Sequence, residues 1–348
     1  MADTCRAVYN NVHIHPTGTQ TPCCAWPINV PFDRATAQRE WESGTVPLGC
    51  KGCVAKESAD PHSLRNKFNS KFAAHNNSIQ GVDLSADNVC NLQCLMCSSE
   101  YSHKNAHREQ LFLGKKIAGA TVSSNTVWKD IDWTTVKHIK LFGGEPAYSP
   151  GIQAFLLWSK DCIDWSTVHV EINTNGTVQG TPELEAVLDS AAHTTVTMSV
   201  DGVDAVNRLI RQGTDRVLWD YWGSFTDDLI INTAVNIYNA PTLDQFAHSV
   251  DPRWSIHWEM VSSPPPLDIR NMPSDLKQLY CDSNLPEPVA QWINQPGVDL
   301  FDHFLTLHHA YNHLYNIDLE CANPLLHQYI NNCSTEPVSW QTIGAAYT

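Results

Sequence analysis

The sequence predicts an α/β fold: a partial (β/α)6 barrel of the TIM type, preceded by a small cysteine-rich β-hairpin domain and followed by a helical extension. Three observations predict it. From about residue 78 to 262, β-branched segments alternate with segments of helical spacing, the pattern of βα units on a parallel sheet. Before that stretch the texture changes, and eight of the twelve cysteines fall within the first 97 residues. After it, "SSPPPLDIRNMP" reads as a proline-rich connector leading to amphipathic helix. The domains are therefore expected at 1–76, 77–262 and 263–348.

Each element has its own signal. "NVHIHPTGTQTPCC" alternates and then turns at Pro-Thr-Gly, as a hairpin does. "SIQGVDLS" is the first barrel strand, followed by a cysteine loop and a polar helical stretch from Ser99 to Lys116. "VKHIKLFG" is an apolar strand, and "GIQAFLLWSKDCI" has helical spacing. "TVHVEINTNG" is β-branched and ends in turn residues, and "PELEAVLDSAA" opens with proline and acids, as helices do. "TTVTMSVDG" is a strand, and "DAVNRLIRQGTDRVLWDYWGSF" is mostly helical. "DLIINTAVNIYN" is a strand, "TLDQFAHSV" a short helix, and "WSIHWEMV" a sixth strand carrying Trp254 and Trp258. "DLFDHFLTLHHAYNHLYN" reads as an amphipathic helix. Six βα units suit a partial barrel, whose site would sit at the C-terminal ends of the strands.

Composition narrows the function. The 348 residues carry a formal net charge of -15 and no basic run, which argues against a large nucleic-acid footprint. The N-terminus lacks the basic and apolar parts of a signal peptide, and no apolar run approaches the ~20 residues of a membrane helix. The expected place is the cytosol. In a reducing compartment, clustered cysteines suggest metal or redox chemistry rather than disulfides. Cys162, Cys281, Cys321 and Cys333 are scattered and are assigned to packing.

"DNVCNLQCLMC" places Cys90, Cys94 and Cys97 directly after a strand. Three thiolates are one short of a structural zinc site, unless a distant residue supplies the fourth ligand. They do suit a four-iron cluster with one iron left open, because a short loop can wrap three corners of the cube.

This motif resembles the radical S-adenosylmethionine (radical SAM) superfamily, whose signature is C-x3-C-x2-C at the end of the first barrel strand. The resemblance runs from about 78 to 262, and further segments match in order. "LFGGEPAYSP" carries Gly143, Gly144, Glu145 and Pro146, similar to the family's GGEP motif, which receives the ammonium of S-adenosylmethionine (SAM). "INTNG", from Asn173 to Gly176, matches the end of the third strand, and "SVDG" the fourth, where Ser199 would contact SAM. Arg211 in "RLIRQG" is the expected partner of the SAM carboxylate, and Val235 in "AVN" lies in the adenine-contacting segment. Met96 departs from the pattern, standing where many members have an aromatic residue. The resemblance implies a [4Fe–4S] cluster on Cys90, Cys94 and Cys97 that chelates SAM. One electron would cleave SAM to methionine and a 5′-deoxyadenosyl radical, which abstracts hydrogen from a substrate carbon. It also implies an electron donor such as flavodoxin or ferredoxin.

Cys5, Cys23 and the Cys50-x2-Cys53 pair offer four more thiolates, and spacing alone leaves zinc open. "HIHPTGTQTPCCAW" resembles the twitch domain, a shortened SPASM domain attached to radical SAM barrels, although here it precedes the barrel. That resemblance implies an auxiliary [4Fe–4S] cluster on Cys5, Cys23, Cys50 and Cys53. Cys24 is the alternative to Cys23, since neighbours on a strand face opposite sides. A fully ligated cluster suits electron transfer and so a net oxidation, whereas a structural role is the alternative.

Other candidates read more plainly. His303, His308, His309 and His313 crowd one helix without an HExxH pattern, so a polar face is expected. His13 and His15 share a strand face near the cluster cysteines, and the tryptophans default to packing. Tyr148 and Glu259 are positioned to reach a substrate. The leading expectation is an oxidative radical SAM enzyme acting on a small metabolite. Its alternatives are a peptide- or protein-modifying maturase, a non-enzymatic iron–sulfur or zinc protein, and an RNA-modifying enzyme, which the acidic charge disfavours.

Overall fold

The computed structural model describes residues 4–57, 63–72, 77–114, 116–121 and 127–333. Its strands are β1 (Asn11–Ile14), β2 (Gln20–Thr21), β3 (Gly81–Ser85), β4 (Gln93–Cys94), β5 (His138–Phe142), β6 (His169–Thr174), β7 (His193–Ser199), β8 (Arg211–Gln212), β9 (Asp228–Val235) and β10 (Ser255–Met260). The strand order is β10-β9-β7-β6-β5-β3-β1-β2, with β4 and β8 forming a separate ribbon. β3, β5, β6, β7, β9 and β10 alternate with helices along the chain, so the α/β fold class and the six βα units are as expected.

The chain divides into two compact units. The first holds Met1–Val89, Thr121–Asn173 and Gly180–Thr195. Its strands alternate as their sequences do: Ile139 and Leu141 of β5 are fully buried while His138, Lys140 and Phe142 are half-buried. Helix Pro150–Ser159 starts where Ser149 accepts the Ile152 N–H and proline fills the first turn. The expected hairpin forms, with β1 and β2 antiparallel and Gly18 supplying a φ of 82° in the turn. It is also part of the sheet, since β1 lies parallel to β3 with Asn11 beside Gly81 and Ile14 beside Leu84.

The second unit holds Cys90–Ala120, Thr174–Gln179 and Val196–Thr348, of which Thr348 and its neighbours back to 334 lie outside the described residues. β9 and β10 run parallel, Ser255 opposite Ile230. Helices Ser274–Cys281, Glu287–Ile293, Phe301–Tyr315 and Pro324–Asn331 share one apolar core with β9 and helix Leu243–Ser249. Tyr280 donates to the Ile237 carbonyl at 2.7 Å, and Asn323 donates to the Tyr238 carbonyl at 3.0 Å. The helical extension is thus bound into this core through buried polar bonds.

Three expectations change. The helix expected over 99–116 spans Asn105–Leu113, ending at left-handed Gly114, and Lys115 lies outside the described residues. The stretch 204–225 breaks into helices Asp204–Ile210 and Trp219–Gly223, because Arg211–Gln212 pairs with Cys94–Gln93. Trp254 precedes β10 and stacks on Trp219 instead, ring centroids 5.6 Å apart. No helix among the described residues is long and apolar enough to cross a membrane.

Candidate metal centres

The first centre lies in the second unit. Cys90, Cys94 and Cys97 sit on a loop that follows β3 in the chain, Cys90 and Cys94 buried and Cys97 half-buried. The loop is held by its backbone. Fully buried Arg108, on helix Asn105–Leu113, donates to the carbonyls of Cys94 and Cys97. Tyr311, from helix Phe301–Tyr315, donates to the Leu95 carbonyl at 2.9 Å, and Ser102 to the Leu92 carbonyl at 2.8 Å. Cys90 N–H reaches His103 Nδ1 at 3.3 Å, and Glu109 accepts from Ser99. None of Arg108, Tyr311 or His103 was singled out from the sequence. Their signal is geometric, since each meets a main-chain group that no motif records.

The sulfurs themselves receive polar hydrogens. Leu92 N–H lies 3.4 Å from Cys90 Sγ, Asn175 Nδ2 3.9 Å from it, and Arg211 Nη1 3.8 Å from Cys94 Sγ. Such N–H···S contacts stabilise thiolates that carry metal charge. Burial pushes the Cys97 thiol up to about 12, with the neighbouring Cys94 and Cys90 adding to it. Burial also raises Cys94, against Arg211 and Arg108. Three mutually repelling buried thiolates are costly unless a cation compensates them.

Arg211 is held within the chain. Its guanidinium pairs with fully buried Asp201, Nε to Oδ2 at 2.8 Å and Nη2 to Oδ1 at 3.1 Å, while the third nitrogen faces Cys94. Asp201 also accepts the Ala234 N–H. Ser199 ends β7, half-buried. Val235 is turned fully into the apolar core, and its carbonyl accepts Val261 N–H, so its side chain has no surface to offer a ligand.

The GGEP segment belongs to the first unit. Gly143 has a φ of 123°, and a Cβ there would overlap Ser85 Oγ. A Cβ on Gly144 would overlap the carbonyl of Val89, the residue just before Cys90. Gly144 and Glu145 N–H donate to the carbonyls of Asp87 and Val89, so the glycines permit a close backbone approach. Glu145 is buried and accepts the Ala147 N–H, and Pro146 opens the following turn. Asp87 ties this segment down by accepting from Ser149 Oγ and from the N–H of Gly151 and Val89. Asn173 Oδ1 is buried without a hydrogen-bond partner.

The second centre is also in the first unit. Cys5, Cys23 and Cys50 are buried in a core with Trp26, Trp41, Phe68 and Phe72, and Cys53 is half-buried beside them. Burial raises Cys5 to about 11 and Cys50 to about 12, and Cys53 faces Cys5, Cys23 and Cys50 electrostatically. Gly49 lets the Trp26 ring lie flat against the Cys50 turn, where a Cβ would overlap it. The Trp41 indole N–H has no oxygen or nitrogen acceptor and faces the Cys50 sulfur. Cys23 turns into this core while its neighbour Cys24 is exposed; the expected strand ends at Thr21, so the pair is sorted by the bend and turn that follow β2 and not by strand alternation.

The sulfur spacing bears on the metal. A single tetrahedral zinc ion holds its sulfurs about 3.8 Å apart, given a Zn–S bond of about 2.3 Å. Among the described residues, the only three metal-type groups lying within 4.8 Å of one another are His138, His169 and Glu171, so no three cysteine sulfurs are that close.

No family model matches the chain, and no curated protein does. It is similar to solved structures. Streptococcus suis SuiB bound to precursor peptide SuiA is 14% identical with a TM-score of 0.37, covering 71% of this chain and 58% of that one. Native anSMEcpe with bound AdoMet is 15% identical with a TM-score of 0.37, covering 58% and 59%. This chain therefore spans under two thirds of the length of either.

Proposed function

We propose that the protein is a radical SAM enzyme. The observation that carries this reading is the loop of Cys90, Cys94 and Cys97: three thiols, two of them buried, on one short loop whose carbonyls are clamped by Arg108 and Tyr311. When bound, a [4Fe–4S] cluster there would supply the electron that cleaves SAM to a 5′-deoxyadenosyl radical. The chain's own residues do the rest. Arg108 and Tyr311 fix the loop carbonyls and with them the backbone from which the three thiols project. Arg211, locked by Asp201, places positive charge beside Cys94 and favours its thiolate. We assign Gly143, Gly144, Glu145 and Pro146 to the SAM ammonium and Ser199 to SAM contact.

We further propose that residues 1–76 form a twitch-like domain with an auxiliary [4Fe–4S] cluster on Cys5, Cys23, Cys50 and Cys53. Buried, fully ligated and shielded by Trp41, that site suits electron acceptance rather than substrate binding, which favours a net oxidation. The maturase reading gains from SuiB, whose structure is described with a bound precursor peptide, so a peptide side chain stands beside a small metabolite as substrate.

The test is anaerobic reconstitution with iron and sulfide counting. Two four-iron clusters give about eight irons per chain. Changing Cys90, Cys94 and Cys97 together to Ala should remove half of that iron and abolish 5′-deoxyadenosine formation. Cleavage that persists in the triple variant refutes the assignment.

A further inference from the structure

A cavity of about 350 Å³ opens within the first unit. β3 contributes Asp83 to it, β5 Lys140 and Phe142, and β6 Glu171 and Asn173. Helix Leu64–Lys71 contributes Leu64, Lys67, Phe68 and Lys71, and Cys24 completes the lining. In a chain of net charge -15, three lysines around one cavity are a local reversal of sign.

The ion pairs do not cancel it. Lys71 pairs with Glu171. Lys140 lies 3.8 Å from the other oxygen of the same carboxylate, so two ammonium groups share one anion. Asp83 accepts from Asn11 Nδ2 at 3.1 Å, and burial holds its carboxyl toward the neutral form. Lys67 has no ion pair among the described residues. One further group is unsatisfied: Asn173 Oδ1, buried and lacking a donor, sits on the same wall. A buried acceptor of that kind is satisfied either by an ordered water or by an N–H from a bound molecule.

We propose that this cavity binds a carboxylate with a neighbouring N–H, the chemistry of an acidic amino acid, free or within a peptide. The carboxylate meets Lys140 and Lys67, the N–H meets Asn173 Oδ1, and the carbon chain rests on Phe68 and Phe142. Describing this ligand as the substrate rests on the function proposed above, whereas the binding site does not.

Cys24 provides the reporter. Alkylation of the iron-loaded protein by iodoacetate and by iodoacetamide is followed at Cys24 and at exposed Cys162 by peptide mass mapping. Taking the ratio of the two rates cancels the thiolate fraction of each cysteine. The ratio at Cys24 is expected to exceed that at Cys162 about tenfold, and Lys140→Gln and Lys67→Gln should each lower it. Lys67 is exposed on its helix, so its variant remains informative if Lys140→Gln does not fold. Millimolar acetyl-Ala-Glu-Ala-amide or free glutamate should protect Cys24, and acetyl-Ala-Gln-Ala-amide should not. Protection by the peptide identifies a peptide ligand, and protection by glutamate alone a small molecule. Equal ratios at the two cysteines, indifference to Lys67→Gln, equal protection by the glutamine peptide, or no reaction at Cys24 each overturns the proposal. None of these readings depends on SAM cleavage, which is measured separately on the same preparation.

Discussion

At the scale of single residues, the two neighbours Cys23 and Cys24 show what side-chain direction decides. One faces three other thiols in a core, and the other opens onto a cavity. Cys23→Ser should therefore lower reconstituted iron by up to half, while Cys24→Ser leaves it unchanged. Equal iron loss in both variants would contradict the sorting. Gly144 makes an equally sharp case. Ala there meets the Val89 carbonyl, whereas Ala at Gly119 meets open space. Gly144→Ala should cost about 3 kcal/mol or more in urea unfolding, and Gly119→Ala almost nothing. The cysteines and the GGEP glycines were legible because their chemistry is tied to residue type. Which cysteine turns inward was not legible, because the pair stands on a bend and turn past β2, where side-chain direction follows the local backbone. Nor was it legible that the Val235 side chain points into the core.

At the scale of elements, the cysteine loop is an irregular segment held by two helices that both follow it in sequence, Asn105–Leu113 and Phe301–Tyr315. Arg108→Gln removes two bonds to buried carbonyls and should cost about 3 kcal/mol. Tyr311→Phe removes one and should cost about 1 kcal/mol. Both should lower the thermal midpoint in that order, and the iron content with it. An unchanged midpoint in Arg108→Gln would mean that the loop is held otherwise. The strands were readable because apolar residues such as Ile139 and Leu141 recur at period two. Arg211–Gln212 was not, because a two-residue pairing with Cys94 and Gln93 is set by a partner more than a hundred residues away. Local helix preference loses there to a tertiary contact.

At the scale of the whole molecule, buried histidines tie stability to pH. Burial lowers His13 to about 3, with His15 adding to it, and lowers His308 to about 4, with His309 and His327 adding to it. In the unfolded chain each titrates near 6.5, so below that pH the unfolded state binds more protons. Their stabilisation is whole above pH 6.5 and falls as pH drops toward 4. Between pH 6.5 and 5 each should cost up to about 2 kcal/mol. Urea midpoints across that range should show the fall, and His308→Gln should flatten it. A midpoint that rises on acidification would contradict the burial of both.

The parallel pairing of β1 with β3 has a consequence for synthesis. A nascent chain leaving the ribosome carries Asn11 out about seventy residues ahead of Gly81, its neighbour in the sheet. Throughout that delay one edge of the hairpin is bare, and crowded polysomes offer it identical hairpins to join. Until the later strand arrives to cover the earlier one, that bare edge is a route to self-association.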